Sequence, residues 1–237
     1  LGYEDVVVAV RSSATAEDLP NASFAGQQET YLNISGVEHV VESARKCIAS
    51  LFTDRAIVYR VENGFDHMQV ALAVGIQQMV AVRSEAAGVM FTLDMESGFR
   101  DVVTINSIYG LGENIVQGKV SPDEFTVFKK TGTILKRKLG AKRLKMVPGP
   151  DSTTEDVDVP EADQHRYSIT EEQVLTLAKW GMEIEQHYGK PMDIEWALDE
   201  DYGTLFIVQA RPETVQSQKD QNFFEEYRRT EDGEVIL

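Results

Sequence analysis

The segments Asp193-Ile194-Glu195-Trp196-Ala197-Leu198 and Leu205-Phe206-Ile207-Val208-Gln209-Ala210-Arg211, joined by the turn signal Asp199 to Gly203, decide the fold. In the first, carboxylates alternate with large apolar residues, so Asp193 and Glu195 share one face of a strand. In the second, Gln209 and Arg211 share a face. A hairpin that sets Glu195 opposite Gln209 also sets Asp193 opposite Arg211. Two carboxylates, an amide oxygen and a guanidinium then gather on one surface. Hard oxygen ligands from Glu195 and Gln209 would suit Mg²⁺, with Arg211 meeting polyphosphate and Asp193 orienting it. An ordinary cross-strand ion pair on a solvated sheet face fits the same pattern. A register slip of one residue would send the groups to opposite faces.

Outward from this hairpin the chain alternates between helical and strand-like texture. Thr170-Glu171-Glu172-Gln173 has the form of a capping box, and Val174, Leu177, Ala178, Gly181, Ile184 and Tyr188 line one face of the helix behind it. Gly189 is placed to cap its C-terminus, with Pro191 beyond. Val70 to Val82 reads as a buried strand with a bulge at Gly75. Ala87 to Leu93 and Val102 to Asn106 follow as strands, separated by a turn around Glu96-Ser97-Gly98. Gly110-Leu111-Gly112-Glu113-Asn114 opens a short element that could line a nucleotide site or be a simple strand-to-helix turn. Glu124 to Phe128 and Ile134 to Leu139 predict a hairpin around Thr131-Gly132. The cations between Lys129 and Lys145 suggest a solvated hairpin face or a phosphate-facing patch. Val147 to Ser168, poor in apolar residues, predicts an exposed loop. Gly36 to Val61 carries a helical apolar stripe with a break near Thr53-Asp54 and a stop at Asn63-Gly64.

Near the start, the run Val6 to Val10 predicts a buried strand ending at Arg11. The polar stretch Arg11 to Asn33 follows, RSSATAEDLPNASFAGQQETYLN. Its small residues and hydroxyls could fold around an anion, with the Arg11 fork on phosphate oxygens. The same Ser, Asp, Asn and Gly could equally serve turns.

Composition bounds these readings. The chain has 237 residues and a formal net charge of −16, which argues against a nucleic-acid-binding role and weakens any case for anionic membranes. A negative protein that binds polyphosphate needs to concentrate cations locally or recruit a metal. Cys47 is the single cysteine, so no intrachain disulfide can form, and it falls on the apolar side of a predicted helix. No apolar run approaches a membrane span and no signal peptide stands out, so the cytoplasm is the expected compartment. The opening without Met on a strand-like segment suggests a piece of something longer.

The runs VRSSATAEDLPNASFAGQQETYLN, AAGVMFTLDMESGF, YGLGENIVQGKVSPDEF and GKPMDIEWALD…LFIVQARPETV closely resemble the phosphoenolpyruvate synthase and pyruvate phosphate dikinase family. They resemble its nucleotide-binding domain, which has an ATP-grasp fold. The resemblance implies an α+β fold of mixed, mostly antiparallel sheets with packed helices, lacking the family's N-terminal lysine-bearing segment. It further implies a domain over residues 1–215 and a linker over 216–237 toward a phosphohistidine swivelling domain outside this chain.

By the same resemblance, Arg11 and Arg211 would act on the ATP phosphates, and Ser23, Gly26, Gln27 and Thr30 would form the phosphate-covering loop. Gln78, Met79 and Val80 would meet adenine through their backbone. Glu113 would lie near the nucleotide, Asp193 would join the triphosphate cluster, and Glu195 and Gln209 would bind Mg²⁺. The implied overall reaction converts ATP, pyruvate and water to AMP, phosphoenolpyruvate and phosphate through a carrier histidine on another domain. Partners would then be the phosphohistidine and pyruvate-binding domains of the same full-length chain, which could also pair as a homodimer. This stretch alone is expected to be inactive. His39, His67, His165 and His187 lack a carrier-type setting. Two alternatives stay open: a related phosphotransferase with another acceptor, as in rifampin phosphotransferases, and a non-catalytic nucleotide-binding module.

Overall fold

The computed structural model describes residues 6–14, 18–19, 22–23, 29–214 and 216–217. Strand β1 (Val8–Ala14) precedes the short pair β2 (Asp18–Leu19) and β3 (Ala22–Ser23), then β4 (Thr30–Ile34). Helix α1 (Val37–Ala49), a 3-10 turn over Ser50–Phe52 and helix α2 (Asp54–Glu62) lead to β5 (Leu72–Gln78). β1 lies between β4 and β5 and is antiparallel to both. Val8, Val10, Ile34 and Cys47 form the small core of this unit, with Val40 and Ala44 of α1 packed on it. The break between the helices falls where Thr53-Asp54 predicts it, because the Thr53 side chain accepts the Ala56 N–H as an N-cap. The apolar stripe of α1 is wider than the face it buries: Val37, Val41 and Ile48 remain exposed.

Two expectations for this unit are corrected. β1 does not end at Arg11; it continues through Ser12-Ser13-Ala14, because β5 supplies partners as far as Leu72. Arg11 therefore sits in mid-strand, opposite Thr30 on one side and Gly75 on the other. β5 is an edge strand rather than a buried one, and its pairing with β1 runs through Gly75 without a bulge. The irregularity in this sheet lies between Val8 and Val10, against β4.

The larger unit contains β6 (Ser84–Phe91), β7 (Val102–Tyr109), the short helix α3 (Glu113–Val116), β8 (Asp123–Phe128) and β9 (Thr133–Lys138). The hairpin β10 (Leu144–Pro148) and β11 (Thr154–Asp158) follows, then the short helix α4 (Glu161–Gln164) and helix α5 (Glu171–Tyr188). The chain closes the sheet with β12 (Met192–Asp199) and β13 (Leu205–Pro212). The order β13-β12-β6-β7-β8-β9 makes an antiparallel six-stranded sheet. α5 covers one face, and Met90, Ile105, Val174, Leu177, Ile194 and Trp196 fill the core between them. Thr170 and Gln173 make both hydrogen bonds of the capping box, and Gly189 ends the helix in the left-handed region at φ 66°. The architecture is α+β with mostly antiparallel sheets.

Residues 147–168 are largely exposed, as expected, but they do not form a loop. Much of this stretch is the β10–β11 hairpin and α4, and Val159 is buried. The hairpin turn is held from afar, by Asn33 Nδ2 donating to the carbonyls of Gly149 at 3.0 Å and Thr153 at 2.6 Å. The basic stretch also divides. Lys136 and Lys138 pair with Glu124 on the solvated hairpin, whereas Lys142 is fully buried.

Candidate functional site

The two sheets face each other across a cleft of about 210 Å³. Alternation along β1 turns Ala9 and Arg11 into it, while Val8 and Val10 turn to the small core. β4 contributes Thr30 and Leu32, and the end of β5 with the chain leaving it contributes residues 77–81. The opposite wall comes from Ala87, Gly88 and Val89 of β6 and from Glu195, Gln209 and Arg211 of the β12–β13 hairpin. The turn Leu111-Gly112-Glu113 forms one end. That turn requires glycine at its start. Gly110 has φ 74°, and a Cβ there would lie 2.3 Å from the Met146 carbonyl oxygen.

The hairpin register is the one its alternation predicts: Glu195 pairs with Gln209 and Asp193 with Arg211. Arg211 Nε and Nη2 both reach Asp193 Oδ2, at 2.9 and 2.8 Å. A bulge between Glu195 and Trp196 shifts the register beyond, so Trp196 pairs with Ile207. Arg11 crosses the cleft from the other sheet, and its Nη2 lies 2.8 Å from Glu195 Oε2. The Gln209 amide makes no hydrogen bond among the described residues. Gln77 Nε2 donates to the Val208 carbonyl at 3.3 Å, a second link between the sheets.

Burial perturbs the acids. Desolvation raises the Asp193 pKa above the ordinary carboxylate value, against the opposing pull of Arg211, and Glu195 and Glu213 add to the rise. Glu113 is raised first by burial as well; its hydrogen bond from Gln117 opposes this, and Glu195 reinforces it. Two arginines thus face three carboxylates, a balance that disfavours a bare polyanion and favours one that arrives with a cation.

Of the residues singled out from the sequence, Arg11, Thr30, Gln78, Met79, Val80, Glu113, Glu195, Gln209 and Arg211 line the cleft. Asp193 reaches it through Arg211. Ser23 lies in β3, and Gly26 and Gln27 lie outside the described residues. The Met79 N–H is spent on the Val7 carbonyl at 3.0 Å, and no backbone bond engages the N–H groups of Val80 or Ala81 among the described residues. Sequence reasoning missed the apolar walls, notably Ala9, Leu32, Ala87 and Val208. Ala9 was findable, since it stands two residues from Arg11 on the same strand face. The arrangement offers guanidinium forks for anionic oxygens, a carboxylate and an amide for a hard cation, and peptide edges beside apolar walls for a planar ring.

Comparison with known proteins shows the family. The family model described as "Pyruvate phosphate dikinase, AMP/ATP-binding domain" matches residues 1–231. A phosphoenolpyruvate synthase of Pseudomonas aeruginosa is 56% identical over 245 residues, covering 100% of this chain and 31% of that protein. One from Aquifex aeolicus is 56% identical over 235 residues, covering 94% of this chain and 28% of that protein. The phosphoenolpyruvate synthase of Escherichia coli K12 is 50% identical over 242 residues, covering 98% of this chain and 30% of that protein. The chain therefore spans about three-tenths of the length of these relatives. Its sequence, matched along nearly its whole length, belongs to the pyruvate phosphate dikinase AMP/ATP-binding domain family.

Proposed function

We propose that this chain is the Mg·ATP-binding part of a phosphoenolpyruvate synthase with an ATP-grasp fold. Residues 1–215 are assigned to the nucleotide-binding domain, and residues 216–237 to a linker toward a phosphohistidine domain. The whole protein phosphorylates a carrier histidine and passes the phosphoryl group to pyruvate, so that ATP, pyruvate and water give AMP, phosphoenolpyruvate and phosphate. One observation carries the reading. Arg11 from one sheet and Glu195, Gln209 and Arg211 from the other converge on a single cleft edged by the peptide groups of residues 78–81.

The roles proposed for these residues fit that geometry. The adenine edge lies along residues 78–81, where the Val80 and Ala81 N–H groups are not engaged by other backbone among the described residues. The triphosphate lies toward the hairpin, with Arg211 aimed by Asp193 and Arg11 reaching in from β1. Thr30, opposite Arg11 in the pairing of β1 with β4, adds a hydroxyl, and Ser23, Gly26 and Gln27 are assigned to the same phosphate-binding role by resemblance alone. Glu195 and the unengaged Gln209 oxygen fit a hard cation. Among the described residues no group of three or more His, Cys, Asp or Glu gathers to hold a metal. Mg²⁺ uses one or two protein carboxylates and takes further oxygens from phosphate and water. When bound, Mg²⁺ supplies positive charge to the phosphate oxygens. Phosphoryl transfer depends mainly on positioning and charge stabilisation, so the two arginines carry the protein's share without a protein base.

The test is calorimetric titration of the full-length protein with ATP, with and without Mg²⁺, alongside Glu195→Ala and Arg211→Ala. Mg²⁺-dependent binding that weakens about ten-fold or more in each variant is the expected result. Unchanged affinity in both variants would overturn the site. Formation of a phosphohistidine from ATP, preceding pyruvate turnover, tests the reaction.

A further inference from the structure

Strand β4 carries a bulge, and Asn33 belongs to it. Val8 pairs with Ile34 and Val10 with Tyr31, so Leu32 and Asn33 stand against Ala9 alone. The extra residue changes which face each side chain takes. Thr30 and Leu32 line the cleft, whereas Ile34 turns into the small core; strict alternation would set Ile34 on the cleft side. Asn33 holds the left-handed conformation of the bulge, at φ 60°, and is only 8% exposed.

The two ends of Asn33 reach different parts of the molecule. Its Nδ2 donates to the carbonyls of Gly149 and Thr153 in the β10–β11 turn, while its backbone N–H donates to Met79 Sδ at 3.2 Å. Met79 lines the cleft, and its own N–H is bonded to the Val7 carbonyl. A methionine side chain has three rotatable bonds and samples many shapes unless its sulfur is held. Met79 is thus held at both ends, directly before the peptide groups of Val80 and Ala81. The turn is fastened a second time, by Ser152 Oγ accepting from the Ser35 N–H at 3.0 Å. Among the described residues four non-glycines have positive φ, and three of them, Asn33, Asp151 and Ser152, lie in these two segments. Such conformations persist only where the surroundings enforce them. Neither Asn33 nor the turn over residues 149–153 lines the cleft.

We infer that Asn33 is a positioning residue: clamped by the β10–β11 turn, it fixes Met79 and with it the base-binding edge of the cleft. The inference rests on the proposed nucleotide site and concerns its base end alone. The turn governs how firmly a base is held, and the phosphate end on Arg11 and the β12–β13 hairpin is left as it is.

Calorimetry on the full-length protein separates the two ends by comparing Mg·ATP with the Mg²⁺ complex of inorganic triphosphate, which has no base. Asn33→Gly removes the side chain and leaves φ 60° accessible; Ser152→Gly does the same for the second fastening at φ 58°. Each should weaken Mg·ATP binding about five-fold and leave triphosphate binding unchanged. Met79→Leu keeps the volume and removes the sulfur acceptor, and it should show the same split. Combined with Asn33→Gly, its effect should fall short of the product of the two single effects, because both act through one contact. Equal loss for both ligands, or loss for neither, in variants of a wild type that binds Mg·ATP overturns the positioning role. A wild type that binds neither ligand overturns the nucleotide reading itself.

Discussion

Lys142 and Asp123 are both fully buried, and the Lys142 ammonium lies 2.6 Å from Asp123 Oδ1. The pair is well dressed. Asp123 also accepts from Gly140 N at 2.9 Å and from Ser168 N and Oγ at 2.8 Å each, while Lys142 donates to the Gly140 carbonyl at 2.8 Å. Removing one partner leaves a charge in the interior, which typically costs about 3–5 kcal/mol. Lys142→Met should lower unfolding free energy by about that amount in urea titration. Replacing both residues with apolar ones should recover a large part of the loss.

Gly88 sits where β6 passes beneath Trp196. A Cβ there would come within 1.9 Å of the Asn106 carbonyl oxygen and 2.7 Å of Trp196 Cζ2. Neither can yield easily, because Asn106 is in the adjacent strand and Trp196 is 1% exposed in the core. Gly88→Ala should destabilise by about 3 kcal/mol or more. Because Gly88 also lines the cleft, nucleotide affinity should fall in the same variant.

The helix caps offer a milder test. Thr170→Ala removes the N-cap acceptor of α5, and Gly189→Ala places a side chain at φ 66°. Each should cost about 1 kcal/mol, read as a lower melting temperature with cleft binding intact.

The acids of the cleft fix a pH dependence. Burial holds the folded pKa of Asp193 and Glu113 above their unfolded values. The folded state therefore binds their protons more tightly, and stability falls as pH rises from the unfolded toward the folded value. Above that window the cost is complete. Glu113→Gln should raise the melting temperature at pH 7 by a few degrees at most and flatten the slope above pH 4.5, the ordinary Glu value. Glu124 works in the opposite sense. Its hydrogen bond from Lys138 lowers its pKa, so its contribution is lost as pH falls. Comparing Glu113→Gln with wild type isolates the contribution of Glu113 from those of Asp193 and Glu124.

The hairpin register was legible because period-two alternation in both strands leaves one pairing that keeps the polar groups together. The bulge after Glu195 was not, since it places an extra residue where alternation alone expects none. Helix α5 was legible from local chemistry at both ends. The β10–β11 hairpin was hidden because residues as distant as Asn33 hold its turn. Lys142 misled for a related reason: among neighbouring lysines it reads as solvated, and its burial partners Asp123 and Ser168 lie on other elements. Individual cleft-lining residues could be named in advance. What could not be read was that two of them, Arg11 and Glu195, would bond to each other.

The two hydrophobic clusters share no residue. Direct contacts across the cleft among the described residues include the Arg11–Glu195 pair and the Gln77–Val208 hydrogen bond. The small cluster, with Val8, Val10, Ile34 and Cys47 as its buried members, is the weaker of the two. The two parts of the chain, joined by polar seams, should therefore melt as unequal units. Amides of β1 and β5 should exchange with solvent sooner than those of β6 and β12. A ligand that touches both walls becomes the missing mortar between them, so occupancy should merge two unfolding steps into one and slow exchange most in the half that does not supply the hairpin.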